Sequence, residues 1–131
     1  MKYCNQCGGT VQSIIPNGDT TLRFVCTVCE FIQYENPKIV VGTVPVHNNE
    51  VLLCLRAIEP RRNFWTLPAG FLENGESLVA GAIRESQEEA LFTPLLGPIL
   101  AVVDVVHADQ VHIFFRAGLT DDNFGPGVES L

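Results

Sequence analysis

Two pairs of cysteines near the start of the chain constrain its fold more than any other feature. Cys4 and Cys7 form the segment CNQC, Cys26 and Cys29 form the segment CTVC, and eighteen residues separate the two pairs. Two residues between thiolates let both sulfurs face one tetrahedral ion, and this spacing is typical of a four-cysteine zinc site. The alternatives are two disulfides or four unbound thiols. Because the sequence starts without the apolar stretch of a secretory signal, we expect a reducing compartment and favour zinc.

The cysteine pairs predict a small zinc-ribbon domain over residues 1–35, followed by a larger domain over residues 36–131. A piece as small as the ribbon buries too little surface to fold alone, so bound metal would supply its folding energy. Leu22–Val25 is a candidate strand leading into the second pair. Asn36-Pro37 marks the junction, because a proline disfavours helix before it and interrupts a strand. The fifth cysteine, Cys54, lies in the apolar run VLLCLR and is expected to be a small buried residue.

The charge balance argues against nucleic acid as a partner. The 131 residues carry 8 basic and 15 acidic side chains, for a formal net charge of −7, whereas phosphate backbones are bound through clustered lysines and arginines. No apolar run is long enough to span a bilayer, so we expect no membrane partner and a cytoplasmic location. For the ribbon, structural support or a homodimer contact is favoured over nucleic-acid binding.

The order of the remaining elements predicts an α/β or α+β unit with a mixed sheet. Ser77 is placed to cap a helix that extends to about Phe92, because apolar residues recur on one face from Leu78 onward. The β-rich runs on either side of this helix are residues 38–46, 51–56, 65–67, 99–106 and 111–117.

The segment RESQEE, residues 84–89, gathers three carboxylates and an arginine on this helix. Residues three and four apart are neighbours on a helix, so Glu85 faces both Glu88 and Glu89. Like charges at these spacings destabilise a bare helix, which makes a merely solvated face a poor explanation. A cluster of oxygen ligands suits Mg²⁺ or Mn²⁺, which bridge to substrate phosphates. The segment therefore predicts a divalent-cation site on the helix.

The spacing of these residues resembles the signature of the Nudix hydrolase family. Gly70 is followed after five residues by Glu76, after seven more by Arg84-Glu85, and then by Glu88-Glu89, and the preceding segment WTLPAG is also similar to the family's lead-in. The resemblance covers residues 37–131, and an N-terminal zinc ribbon occurs in some members. It implies an α/β/α sandwich with a mixed sheet. It also implies Mg²⁺-dependent hydrolysis of the pyrophosphate linkage in a nucleoside diphosphate joined to another group.

The resemblance assigns roles to individual residues. Glu85, Glu88 and Glu89 would hold Mg²⁺ or Mn²⁺, with a backbone carbonyl of Gly70 or Ala69 as a further ligand. Three other residues receive supporting roles: Arg84 would hold the preceding loop through Glu73, Glu76 would be either a minor ligand or a helix cap, and Glu129 is a candidate general base.

Two positions depart from the family pattern. Ser86 stands where an aliphatic residue is usual, and Leu91 stands where a glycine is usual. Because leucine adopts positive φ poorly, we expect the helix to run past Leu91 and to end before Pro94. The family normally adds another strand and a helix after the last strand found here, so residues 36–131 are expected to lack them.

Substrate identity is the least constrained prediction. Arg56, Arg61 and Arg62 could meet phosphates, and Trp65 offers a stacking face. Zinc-ribbon relatives with a similar Pro-Ala-Gly segment act on ADP-ribose, NADH or FAD, of which ADP-ribose and FAD are favoured. The alternative function is a catalytically weak module that senses a nucleotide and uses the ribbon as an interaction surface.

Overall fold

The computed structural model describes residues 1–55 and 65–119. Its contacts divide the chain into two compact units, Met1–Asn36 and Pro37–Leu131. The predicted Arg56, Arg61 and Arg62 of the substrate site and the candidate base Glu129 lie outside the described residues. Among the helices that are described, none is both long enough and apolar enough to cross a membrane.

The first unit is built on a three-stranded antiparallel sheet. Its strands are β1 (Val11–Ile14), β2 (Arg23–Cys26) and β3 (Ile32–Gln33), in the order β1-β2-β3. The predicted strand at residues 22–25 corresponds to β2, displaced by one residue. The two flanking strands were not predicted, because β1 has the mostly exposed sequence VQSI and β3 is only two residues long. Such short, half-exposed strands carry little hydrophobic periodicity.

The second unit contains the predicted mixed sheet. Strand β4 (Lys38–His47) pairs in parallel with β10 (Gln110–Gly118), and β10 pairs antiparallel with β9 (Leu95–Val105). Strands β5 (Glu50–Val51) and β8 (Ala69–Phe71) both pair antiparallel with β4. A separate two-stranded ladder joins β6 (Cys54–Leu55) to β7 (Trp65–Thr66). The mixed α+β architecture predicted from the sequence is confirmed.

Helix α1 (Leu78–Ala90) packs on this sheet. Ser77 caps its first turn as predicted, with the side-chain oxygen accepting from the Ala80 amide at 3.0 Å. Val41 of β4, Phe115 of β10 and Ala82 of the helix form the buried core between the two layers. Helix α1 is the one α-helix among the described residues, so the second helical layer of an α/β/α sandwich is not among them.

The predicted continuation of the helix past Leu91 is wrong. Leu91 adopts the left-handed conformation, with φ 55° and ψ 37°, and its amide donates to the Gln87 carbonyl at 3.1 Å. This conformation costs a leucine roughly 1–2 kcal/mol. The turn carries Phe92 into a buried cluster with Cys54 and Ala90, and burying a phenylalanine side chain returns about 1.5–3 kcal/mol. Cys54 is buried, as predicted.

Three parts of the sheet differ from the predicted strands because of how the strands pair. The single strand predicted at residues 51–56 is two strands, because β5 pairs with β4 whereas β6 pairs with β7. Strand β9 begins at Leu95 and includes Pro98, which is tolerated because β9 has one partner, β10, in the described sheet. Strand β8 follows the predicted strand at residues 65–67 and was not predicted, and it pairs with Val40–Gly42.

Candidate functional site

The four cysteines of the first unit converge on one point. Their sulfurs all lie within 4.8 Å of one another, with Cys4 3.8 Å from Cys29 and Cys7 3.5 Å from Cys26. Sulfurs bonded at about 2.3 Å to a tetrahedral zinc ion stand about 3.8 Å apart, whereas a disulfide is about 2.05 Å long. The four thiols are unpaired, so the geometry fits Zn²⁺ and not the disulfide alternative.

Backbone amides within each cysteine pair turn toward the sulfurs. Cys29 and Val28 donate to Cys26 Sγ at 3.4 and 3.3 Å, and the Gln6 amide donates to Cys4 Sγ at 3.3 Å. The Cys29 amide, followed by that of Val28, lowers the pKa of Cys26 to about 6, against the opposing effect of burial. Such donors favour the thiolate, which is the form that binds metal.

In the second unit, the carboxylate of Glu85 is pressed against the backbone of Gly70. Glu85 is only 6% exposed, although it lies in the middle of a charged segment. A β-carbon built on Gly70 would lie 2.3 Å from Glu85 Cδ and 2.3 and 2.4 Å from its two oxygens. Because no other residue type leaves this space, glycine at position 70 is what allows the carboxylate to reach strand β8.

Arg84 joins the loop before the helix to the helix itself. Its Nε and Nη2 atoms donate to the two oxygens of Glu76 at 3.0 and 2.8 Å, and Nη2 also donates to the Phe71 carbonyl at 3.0 Å. Nη1 donates to Glu85 at 2.8 Å and to Glu88 at 3.1 Å. One guanidinium therefore serves three carboxylates and one carbonyl, which is a use of its planar fork that lysine cannot reproduce.

The prediction that Arg84 pairs with the side chain of Glu73 is wrong. Glu76 takes that place, and Glu73 contributes its backbone amide, which donates to Glu76 Oε1 at 2.9 Å. The loop turns so that residue 76, directly before the helix cap, is the carboxylate within reach of residue 84. The alternative that Glu76 caps the helix is also wrong, because Ser77 is the cap. The pKa of Glu76 is lowered to about 2, chiefly by the hydrogen bonds from Arg84 and then by the one from the Glu73 amide.

The three predicted carboxylate ligands stand in different surroundings on one helix. Glu85 is buried, Glu88 is exposed on its side chain to 58%, and Glu89 is intermediate. In the described part of the chain, the four sulfurs are the one set of three or more potential metal ligands that converge on a point. The three carboxylates do not form such a set, and Arg84 lies between Glu85 and Glu88. Burial raises the pKa of Glu85, and the bond from Arg84 opposes that shift.

Trp65, predicted to offer a stacking face, lies on β7 and is 64% exposed. A cleft of about 660 Å³ lies between the start of β4 and the loop after β8, and its lining includes Lys38, Phe71 and Asn74. Lys38 Nζ stands 5.3 Å from the centre of the Phe71 ring. This cleft was not predicted from the sequence. The only signal for it in the sequence is a lysine that opens an otherwise apolar strand.

Two family models cover almost the whole chain. Residues 2–35 match the model described as Nudix N-terminal, a zinc ribbon, and residues 36–129 match the model of the NUDIX domain. The chain belongs to the Nudix family. Of the residues that carried the resemblance, Glu76, Glu85 and Glu88 contact Arg84, and Glu85 contacts Gly70.

Individual relatives of this Nudix chain include one solved structure of high similarity. A NUDIX hydrolase from Nitrosomonas europaea is 53% identical, with a TM-score of 0.94, and the match covers 100% of this chain and 74% of that one. An ADP-ribose pyrophosphatase from Methanocaldococcus jannaschii is 32% identical over 53% of this chain and 41% of its own. A NAD-capped RNA hydrolase, NudC, from Vibrio parahaemolyticus is 31% identical over 68% of this chain and 32% of its own. The Nudix chain thus spans less than half the length of these two curated relatives.

Proposed function

We propose that this Nudix chain hydrolyses the pyrophosphate linkage of a nucleoside diphosphate derivative with the help of Mg²⁺ or Mn²⁺. The observation that carries the proposal is the buried Glu85 carboxylate against the Gly70 backbone, next to an arginine that already serves two other carboxylates. A buried carboxylate without a full counter-charge is costly, and a bound cation would offset that cost.

The charges around Arg84 fit a divalent ion. In the described part of the chain, one guanidinium faces the carboxylates of Glu76, Glu85 and Glu88, so three negative charges less one positive leave two uncompensated when all are ionised. The donors are oxygen atoms, which Mg²⁺ and Mn²⁺ prefer. The set does not resemble the sulfur site of the first unit, so the two sites would select different metals.

The candidate ligands are Glu85, Glu88 and Glu89, with the carbonyl of Gly70 or Ala69. Glu85 and Gly70 of β8 are already in contact, and the exposed side chain of Glu88 can change rotamer at low cost to join them. When bound, the ion would neutralise the diphosphate and lower the pKa of the attacking water. Arg84 would keep the loop of residues 71–76 on the helix throughout, because its Glu76 and Phe71 contacts do not involve the candidate ligands.

The substrate that we favour is ADP-ribose, with FAD and NADH-type dinucleotides as the other candidates. Support comes from the relatives named for ADP-ribose and for NAD-capped RNA. We propose that the cleft beside Phe71 takes a planar group of the substrate, with Lys38 turning to a phosphate, because the Phe71 carbonyl already contacts Arg84. An unchanged KM in a Phe71→Ala variant would contradict that placement. Two further roles stay predictions: substrate binding by Arg56, Arg61 and Arg62, and general-base catalysis by Glu129.

The ribbon is proposed to be a structural domain over residues 1–35 that folds around one Zn²⁺ held by Cys4, Cys7, Cys26 and Cys29. The support is the convergence of four sulfurs in a unit whose strands are short and whose apolar side chains are largely exposed. A domain with so small a core depends on its metal for stability. Amide hydrogen exchange measured before and after zinc removal tests this role. We expect residues 1–35 to lose their secondary structure when the zinc is removed.

The function is tested by incubating zinc-loaded protein with ADP-ribose, FAD, NADH and nucleoside triphosphates, with Mg²⁺ or Mn²⁺, and separating the products by chromatography. We expect AMP and ribose 5-phosphate from ADP-ribose only when the cation is present. Running the reaction in ¹⁸O-labelled water shows which phosphorus is attacked, because the label enters one product. Calorimetric binding of ADP-ribose without any product would favour the nucleotide-sensing alternative instead.

A further inference from the structure

Two hydroxyl groups meet in the middle of the core between β4 and helix α1. Thr43 and Ser86 are both fully buried, at 0% exposure, and Thr43 Oγ1 lies 2.9 Å from Ser86 Oγ. Ser86 Oγ also donates to the Ala82 carbonyl at 2.9 Å. Ser86 is the position at which the sequence departs from the aliphatic residue usual in the family.

Counting protons fixes the direction of the bonds. Each hydroxyl carries one proton, and Ser86 gives its own to the Ala82 carbonyl. Thr43 must then donate to Ser86 for both buried protons to be used. The result is a directed chain from the strand, through the serine, to the helix backbone.

Thr43 also holds the other half of the candidate metal site. Its backbone amide donates to the Pro68 carbonyl at 3.1 Å, just before strand β8, which includes Gly70. The neighbouring Gly42 packs so tightly there that a β-carbon would lie 2.4 Å from the same carbonyl. Thr43 is thus bonded through its backbone to the segment before Gly70 and through its side chain to the residue after Glu85.

We infer that Thr43 and Ser86 are positioning residues that fix the register of helix α1 against strand β8, so that Glu85 meets Gly70. This inference rests on the proposed metal-dependent function. An aliphatic side chain in place of Ser86 would contribute a non-directional contact, which tolerates small sliding movements. A hydrogen bond weakens steeply as its angle changes, so the hydroxyl pair specifies one register.

The pair can be broken from either side with different structural consequences. Thr43→Val keeps the shape of the side chain and leaves Ser86 bonded to Ala82, so it should disturb folding least. Ser86→Ala leaves the buried Thr43 proton without an acceptor, so it should lower stability more. Thr43→Ser keeps the hydroxyl and serves as the rescue variant. Ser77→Ala removes the helix cap without touching the pair and controls for loss of helix stability alone.

The readout is the dissociation constant for Mn²⁺, measured by electron paramagnetic resonance on zinc-loaded protein, together with urea unfolding. We expect Thr43→Val and Ser86→Ala each to weaken Mn²⁺ binding about tenfold, as changes next to a metal's ligands do. The double variant should bind no more weakly than Ser86→Ala, because both changes break the same bond. Thr43→Ser and Ser77→Ala should bind like the wild type.

Wild-type Mn²⁺ affinity in Thr43→Val and Ser86→Ala would overturn the positioning role and leave the proposed function standing. Effects that multiply in the double variant would also overturn it, because the two residues would then act separately. A zinc-loaded wild type that binds no Mn²⁺ would overturn the proposed function, and the positioning role with it.

Discussion

Two nitrogens of Arg84 donate hydrogen bonds to Glu76 at 3.0 and 2.8 Å, and the same guanidinium also donates to Glu85 and Glu88. This arrangement ties the loop of residues 71–76 to the middle of the helix. Glu85 of helix α1 lies against Gly70 of strand β8, and Arg84 holds the connecting loop in place.

Arg84→Lys should lower both stability and the rate of ADP-ribose hydrolysis, because a lysine ammonium cannot reach Glu76 with two bonds and Phe71 at the same time. We expect kcat to fall at least about tenfold, the lower end of the effect of changing a residue beside metal ligands. Arg23→Lys in the first unit, where Arg23 pairs with Asp19 at 3.1 Å, is the matched control. A wild-type kcat in Arg84→Lys would contradict the role of the fork.

The Glu76 contribution to stability should depend on pH. Its pKa falls from an ordinary 4.5 to about 2 in the folded chain, so the ionised form is favoured by folding. The stabilisation is therefore fully present above pH 4.5 and is lost as pH falls toward 2. The difference in urea midpoint between wild type and Glu76→Gln should be smaller at pH 3.5 than at pH 7. A difference independent of pH would mean that the carboxylate's charge is not what stabilises the loop.

Gly70→Ala should weaken metal binding and destabilise the second unit, because the added methyl would overlap the Glu85 carboxylate. The atoms in the way are the end of the Glu85 side chain, so the methyl would displace that carboxylate and weaken metal binding more than it lowers stability. Gly118→Ala is the control, since a β-carbon there meets its nearest neighbour at an ordinary 3.8 Å. Unfolding curves and Mn²⁺ titrations of both variants would decide the point, and equal behaviour of the two would argue against the Gly70–Glu85 contact.

The first unit should bind one zinc ion per chain, and Cys26→Ser should abolish that binding. Cys26 is buried, and its sulfur accepts two amide bonds in addition to facing Cys7. Cys54→Ser is the control, because Cys54 lies in the second unit against Ala90 and Phe92. Elemental analysis of freshly purified, reduced protein measures the stoichiometry. Zinc retained by Cys26→Ser, or lost from Cys54→Ser, would refute the assignment.

Local patterns were sufficient to predict the features whose cause is local. The Ser77 cap, the long strand that starts at Lys38 and the spacing of the four cysteines depend on neighbours in the sequence, and the fold contains all three. The mixed sheet also followed from the order of the elements. These predictions needed no knowledge of which strand pairs with which.

The features that could not be predicted depend on packing between distant segments. Leu91 takes positive φ because burying Phe92 offsets the cost. Arg84 selects Glu76 because of how the loop turns. The Thr43–Ser86 bond joins residues 43 positions apart, and in the sequence Ser86 was visible only as a departure from the family pattern.

The most direct test of the whole account is the Mg²⁺ dependence of ADP-ribose hydrolysis by zinc-loaded wild type, Glu85→Gln and the exposed-residue control Glu50→Gln. We predict release of AMP by wild type and by Glu50→Gln when Mg²⁺ is added, and none without it. The rate of hydrolysis by Glu85→Gln should be at least about 100-fold lower than that of wild type, which is the upper end of the effect of changes beside metal ligands. Hydrolysis by Glu85→Gln at the wild-type rate in Mg²⁺ would contradict the claim that this buried carboxylate holds the catalytic metal.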